Sequence, residues 1–208
     1  MDYEFLCDMT LSQKEEQKII DFVMTGETPY ALVEFFRQIS EHPGITPQQL
    51  KQIFKENSQS IAELPGNGHL SFYDETQQRI IDLPFSGQAI DRNKLPFIDR
   101  RRLTNENRFP IFKYKQTAQV MASVGCKYSC EFCCESADSI LQGVPKIQSR
   151  SPQNVFKELR ILKQQGYEAI FFDDSTFTQK PRETKELLEL MIENNLNLEW
   201  GCQTTIND

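Results

Sequence analysis

Three cysteines, Cys126, Cys130 and Cys133, lie in the run Gly125-Cys126-Lys127-Tyr128-Ser129-Cys130-Glu131-Phe132-Cys133. Their spacing is C-x3-C-x2-C, directly after the apolar run Val120–Val124. Thiolates hold iron–sulfur clusters, and a cubane cluster has one more iron than three thiolates can ligate. The spacing predicts a cluster whose last iron has no protein ligand. An open coordination position separates a catalytic metal site from a closed structural one. A zinc site would need a fourth ligand. Cys134 is adjacent to Cys133, an awkward geometry for holding one ion with both, and His69 is far away in sequence. A disulfide framework suits neither the length of the chain nor its cysteine content, and no signal peptide is visible.

The elements that must position these residues alternate from Thr117 onward. Ala118–Val124 reads as a strand feeding the cysteine loop, which runs through about Gly143. Ser151 is a good N-cap with Pro152 at the first helical position, and Val155, Leu159 and Leu162 line one face of a helix to Gln165. Gly166 is placed to end it in a left-handed turn. Ala169–Phe172 is a short continuous apolar run of the buried parallel type. A helix from Pro181 or Arg182 to about Asn195 buries Leu187, Leu188, Met191 and Ile192, and Leu196, Leu198, Trp200 and Cys202 alternate as a third strand. Short connections make these parallel strands with right-handed crossovers. Active sites on such sheets lie at the carboxyl ends of strands. The cysteine loop, Asp173-Asp174-Ser175 and Gln203-Thr204-Thr205 all land there.

The cysteine stretch, with aromatic Phe132 just before its last thiol, resembles the signature of the radical S-adenosylmethionine enzymes. The resemblance implies that Cys126, Cys130 and Cys133 hold a 4Fe-4S cluster. Its open iron would bind S-adenosylmethionine, and reduction by an external electron donor would split the cofactor to methionine and a 5′-deoxyadenosyl radical. Phe172-Asp173-Asp174-Ser175-Thr176-Phe177-Thr178 resembles a family segment that contributes to cofactor and substrate binding. The carboxylates of Asp173 and Asp174 suit the amino group of the cofactor. Trp200-Gly201-Cys202-Gln203-Thr204-Thr205 resembles a family segment that often reads Trp-x-Cys-Glu-Thr-Arg. Gln203 and Thr205 here replace an ion-pairing Glu and Arg that they cannot match in kind. Phe132, Asp173, Asp174 and Gln203 are the expected cofactor-binding residues, with no residue assigned a catalytic role. Cys7, Cys134 and Cys202 are read as small buried hydrophobes rather than ligands.

Upstream, Ile19–Met24 reads as a buried strand and Thr25-Gly26 as a turn. Thr28 and Pro29 start a helix to about Ser40, with Leu32, Phe35, Phe36 and Ile39 on its apolar face. Asp21–Glu27 is similar to the last strand and turn of the cobalamin-binding domain in one subgroup of the radical family. The subgroup's cobalamin ligand sits in an Asp-x-His-x-x-Gly motif, and neither His42 nor His69 lies in one, so cobalamin binding is not expected. Thr46, Pro47 and Gln49 spell a capping box, with Leu50, Ile53 and Phe54 as the buried face of the helix that follows. His69–Tyr73 and Gln78–Asp82 form a predicted hairpin. Leu95-Pro96-Phe97-Ile98-Asp99 is similar to the segment that links the two domains of that subgroup. Arg100-Arg101-Arg102 reads as a solvated linker edge.

The expected fold is therefore α/β: a partial (β/α) radical S-adenosylmethionine barrel over residues 115–208, preceded by a remnant of a Rossmann-like domain with a hairpin over 1–83 and an irregular linker over 84–114. Such barrels have more strand–helix units than this sequence contains, which suggests truncation at both ends and a possible inactive fragment. The alternatives are a non-catalytic iron–sulfur or zinc-binding module and a methylthiotransferase-like RNA-modifying enzyme. The latter is disfavoured because it should carry three further cysteines upstream, where only Cys7 lies. The net charge of -7 argues against nonspecific binding to nucleic acid or anionic membrane. No apolar run approaches the ~20 residues of a membrane span. Reduced thiols suit the cytoplasm.

Overall fold

A computed structural model describes residues 20–100, 113, 116–133 and 146–205 of the chain. These fall into two compact units, one through Ile90 and one from Asp91 onward.

The first unit contains β1 (Val23–Glu27), α1 (Pro29–Glu41), α2 (Pro47–Glu56), α3 (Ser58–Ala62), β2 (Asn67–Asp74) and β3 (Arg79–Pro84). The hairpin forms as predicted, with Ser71 opposite Asp82 and Phe72 opposite Ile81. The Asp74 carboxylate closes its turn by accepting from the amides of Thr76 and Gln77 at 2.8 and 3.1 Å. The capping box also forms. Thr46 Oγ1 accepts from the Gln49 amide at 3.3 Å, and Gln49 Oε1 accepts from the Thr46 amide at 2.9 Å.

Two expectations for this unit fail. The first strand starts later than expected, at Val23, and runs antiparallel to β2, with Met24 opposite Leu70. It is the edge of an antiparallel sheet in the order β1-β2-β3, not a strand of a parallel Rossmann-like sheet. Thr25 and Gly26, expected to turn, are paired within it. The buried face of α1 is also rotated. Ala31 and Gln38 are buried, while Leu32 and Phe36 are 44% and 59% exposed. The cause is aromatic packing. Phe35 meets Phe22 edge-on at 5.2 Å and stacks on Phe54 at 5.7 Å, which sets the rotation of the helix.

The second unit contains β4 (Thr117–Val120), β5 (Ser123–Gly125), β6 (Ile147–Ser149), α4 (Pro152–Gln164), β7 (Ala169–Phe172), a 3-10 turn (Phe177–Gln179), α5 (Pro181–Glu193) and β8 (Glu199–Cys202). β4, β7 and β8 form a parallel sheet in sequential order. Among the described residues there is no closed barrel, and the radical-enzyme barrel expected from the sequence is not shown. The core lies between the sheet and its two helices, with Val120, Val155, Leu159, Ile170, Phe172 and Leu187 all buried. Ser151 caps α4 by accepting from the Asn154 amide at 3.2 Å, and Gly166 ends it at φ 91°. No helix among the described residues is long and apolar enough to cross a membrane.

Phe172 is fully buried and stacks on Phe177 at 4.3 Å. Phe172→Ala removes this stack and leaves a cavity, so it should lower the unfolding free energy by ~3–5 kcal/mol in a denaturant titration.

Candidate functional site

The single strand expected over Ala118–Val124 is two strands. β4 ends at Val120, and β5 leaves the parallel sheet to pair antiparallel with β6, Ser123 opposite Ser149 and Gly125 opposite Ile147. Met121 and Ala122 make the break between them. Gly125 adopts φ 89°, and a Cβ there would come within 2.1 Å of the Lys146 carbonyl oxygen. Only glycine fits at the point where the chain enters the cysteine loop.

A buried carboxylate fixes this bend. Asp174, 1% exposed, follows β7 by two residues. Its Oδ2 accepts from the Ala122 amide at 3.1 Å, and its Oδ1 accepts from the Ser123 amide at 2.5 Å and the Ser123 hydroxyl at 2.7 Å. Gln179 adds a second clasp. Its Nε2 donates to Ser123 Oγ at 3.1 Å and the Gly125 carbonyl at 3.0 Å, and its Oε1 accepts from the Lys127 amide at 3.0 Å. Burial pushes the Asp174 carboxyl above its ordinary value, against the opposing pull of the bonds from Ser123 and Ala122. Burial, with the Asp174 charge behind it, also pushes the Cys202 thiol up.

The described part of the cysteine loop, through Cys133, is tied at several points. Lys146 Nζ donates to the Lys127 carbonyl at 2.8 Å and to Ser129 Oγ at 2.6 Å. The Tyr128 hydroxyl lies 3.1 Å from Thr205 Oγ1, so the loops after β5 and β8 meet. Cys126 Sγ lies 3.7 Å from Thr176 Oγ1. The Cys133 amide donates to the Cys130 carbonyl at 3.1 Å, making a tight turn on which Cys130 is exposed and Cys133 half-buried. Phe132 is 94% exposed. Asp173 and Gln203 are exposed at the carboxyl ends of β7 and β8. The Gln203 carbonyl accepts from the Phe177 amide at 2.9 Å. Of the expected cofactor-binding residues, Asp173 and Gln203 thus lie at the carboxyl end of the sheet, Asp174 holds the loop, and Phe132 stands exposed on the cysteine loop. Cys7, Cys134, Arg101 and Arg102 lie outside the described residues.

Beside β4 lies a cavity of about 340 Å³, lined by residues from Arg92–Arg100, Gln119–Val124, Arg150, Glu158 and Asp173. The segment read as an irregular linker forms one wall. Asn93 Oδ1 accepts from the Ser151 amide at 2.8 Å, and the Arg150 guanidinium lies over the Phe97 ring at 5.5 Å. Arg100, expected at a solvated edge, is 8% exposed and donates to Glu158 Oε1 at 3.0 Å.

Comparison with known proteins bears on the chemistry. No family model matches the chain. No solved structure matches it. An uncharacterized methyltransferase of Pyrococcus horikoshii is 26% identical over 164 residues, covering 70% of this chain and 35% of the relative. The chain thus spans about a third of that relative's length. These findings correct the radical S-adenosylmethionine expectation. Among the described residues no group of three or more His, Cys, Asp or Glu side chains is placed to hold a metal ion. The 4Fe-4S cluster expected on Cys126, Cys130 and Cys133, the zinc or iron–sulfur module, and the radical cleavage with its electron donor are therefore set aside. What the similarity points toward is a protein named for methyl transfer.

Sequence reasoning missed the structural use of Asp174 and found nothing at Gln179, Arg150 or Glu158. Asp174 follows the apolar run Ala169–Phe172 by two residues, but its partners Ala122 and Ser123 are about fifty residues away, so no local signal shows its burial. Gln179 carries no local signal because its partners lie more than 50 residues away, and Arg100, which completes the cluster with Glu158 and Arg150, is 58 residues from Glu158.

Two variants probe this arrangement. The folded-state pKa of Asp174 lies above its unfolded value, so the folded protein holds that proton more tightly. Its contribution to stability is full below the ordinary value of 3.8 and declines as pH rises from there through the raised value. Asp174→Asn cannot ionise, so unfolding free energies measured across pH should show the wild type losing ground to the variant as pH rises. Gly125→Ala should cost at least ~1 kcal/mol in the same assay, from left-handed strain and from contact with the Lys146 carbonyl.

Proposed function

We propose that this chain carries the donor-binding part of an S-adenosylmethionine-dependent methyltransferase. The observation that carries this reading is the similarity, over most of the chain, to a relative named as a methyltransferase. The chain's own residues suit such a donor, whose transferable methyl group sits on a cationic sulfonium. Asp173 presents an exposed carboxylate at the carboxyl end of β7, where parallel sheets take their ligands. A carboxylate there favours a cationic centre and accepts charge-assisted bonds from an ammonium group. Gln203 offers a neutral amide at the end of β8, and Phe132 offers an open aromatic face for stacking. Asp174 and Gln179 keep the bend between β4 and β5 in place, so that Asp173 and the cysteine loop face the same end of the sheet. Sequential winding of β4, β7 and β8 places all three carboxyl ends side by side, as in the opening strands of a β/α barrel.

Calorimetric titration of the chain with S-adenosylmethionine tests this reading. Saturable binding is expected, and Asp173→Asn should weaken it about tenfold, ~1.4 kcal/mol. Absence of binding, or an Asp173→Asn variant that binds as tightly as the wild type, would overturn the assignment.

A further inference from the structure

The cavity beside β4 has a wall that is out of electrostatic balance. Glu158, on α4, faces two guanidiniums. Arg100 Nη1 donates to its Oε1 at 3.0 Å and Arg150 Nη1 to its Oε2 at 2.7 Å. The side chains of Arg100, Glu158 and Arg150 are 7%, 5% and 13% exposed. Two positive charges thus share one negative charge away from water. The other hydrogen bonds of the two guanidiniums go to neutral acceptors. Arg100 Nη2 donates to the Gln119 carbonyl at 2.6 Å, and Arg150 Nη1 also donates to the Met121 carbonyl at 2.9 Å. Carbonyl dipoles satisfy hydrogen bonds without cancelling the charge, and a buried net charge is costly until a counter-charge meets it.

Among the described residues lining the cavity, the second carboxylate is Asp173, which is exposed. Arg92 lines the same cavity. Lys157 Nζ lies 5.9 Å from the centre of the Phe97 ring, so a further cation stands behind that wall. Leu95, Phe97, Val120 and Val124 supply apolar surface, and Gln119 and Ser123 are the neutral polar residues of the lining. Ile98 and Met121, 63% and 50% exposed, mark its mouth. The volume of about 340 Å³ falls within the ~300–1,000 Å³ of small-molecule sites.

We infer that this cavity binds a small organic anion, an apolar body bearing a carboxylate or phosphate group, with the anion against the Arg100–Glu158–Arg150 wall and the body between Phe97 and Val120. Guanidinium groups suit planar or tetrahedral oxyanions. Asp173 lines this cavity and also stands in the methyl-donor reading, but the inference rests on Arg100, Glu158 and Arg150 and holds whether or not the chain binds S-adenosylmethionine, whose sulfonium is disfavoured beside an excess of guanidinium charge.

The test is a titration of the isotopically labelled full chain with phenyl phosphate, followed by amide chemical shifts. Saturable shifts confined to the amides of Leu95, Phe97, Ile98 and Gln119–Ser123 are expected. Benzyl alcohol, which lacks the charge, and inorganic phosphate, which lacks the ring, should each bind at least tenfold more weakly. Met121→Glu places a negative charge at the mouth on a half-exposed side chain and keeps the backbone carbonyl that accepts from Arg150. It should abolish phenyl phosphate binding while leaving the melting temperature unchanged. Equal binding of benzyl alcohol, shifts away from these amides, absence of saturation, or a Met121→Glu variant that binds like the wild type would overturn the inference.

Discussion

A carboxylate placed out of water must be satisfied, and the one on Asp174 is satisfied entirely by the bend that ends β4. Its three donors come from two consecutive residues, Ala122 and Ser123. That geometry does two things together. It offsets the cost of burying Asp174, and it forces the chain out of the parallel sheet where the cysteine loop must begin. The β5–β6 pair, the approach of Gly125 to the Lys146 carbonyl and the clasp of Gln179 all follow from the direction the chain takes there. Loss of one of the three donors would leave a buried carboxylate less fully compensated, in a region where Ser123, Thr176 and Gln179 are buried as well.

The same end of the sheet carries two electrostatic environments. On the side of β7 and β8 the exposed groups are a carboxylate and an amide, Asp173 and Gln203. Beside β4 the buried groups are two arginines around Glu158. A cation is favoured in the first and an anion in the second. A sheet whose strands are wound sequentially can hold both, because each strand brings its own loop and its own chemistry to the common end.

Much of this was legible in the sequence wherever the signal was local. The capping box at Thr46, the cap at Ser151, the left-handed turn at Gly166 and the apolar run Ala169–Phe172 each announce themselves within a few residues. What was not legible depended on partners far along the chain. Leu32 and Phe36 have a helical period that fits burial, yet the contact of Phe35 with Phe22 and Phe54 turned the helix the other way. Arg100 looked like part of a charged edge, but its partner is Glu158, on a different element. The cysteine spacing carried the strongest expectation. It was corrected because the placement of side chains in space, not their order, decides what a loop can bind.

The sequential order of β4, β7 and β8 also has a kinetic meaning. β7 and β8 are joined by α5 and a short turn, whereas β4 reaches β7 only after the cysteine loop, β6 and α4. Closing the shorter connection costs less chain entropy. The β7–α5–β8 unit is thus the part of this sheet best suited to form early, with β4 docking onto a prepared edge. Asp174 lies on that edge, so on the same entropy argument the bend at Ala122 and Ser123 would act as a latch that closes once β4 docks.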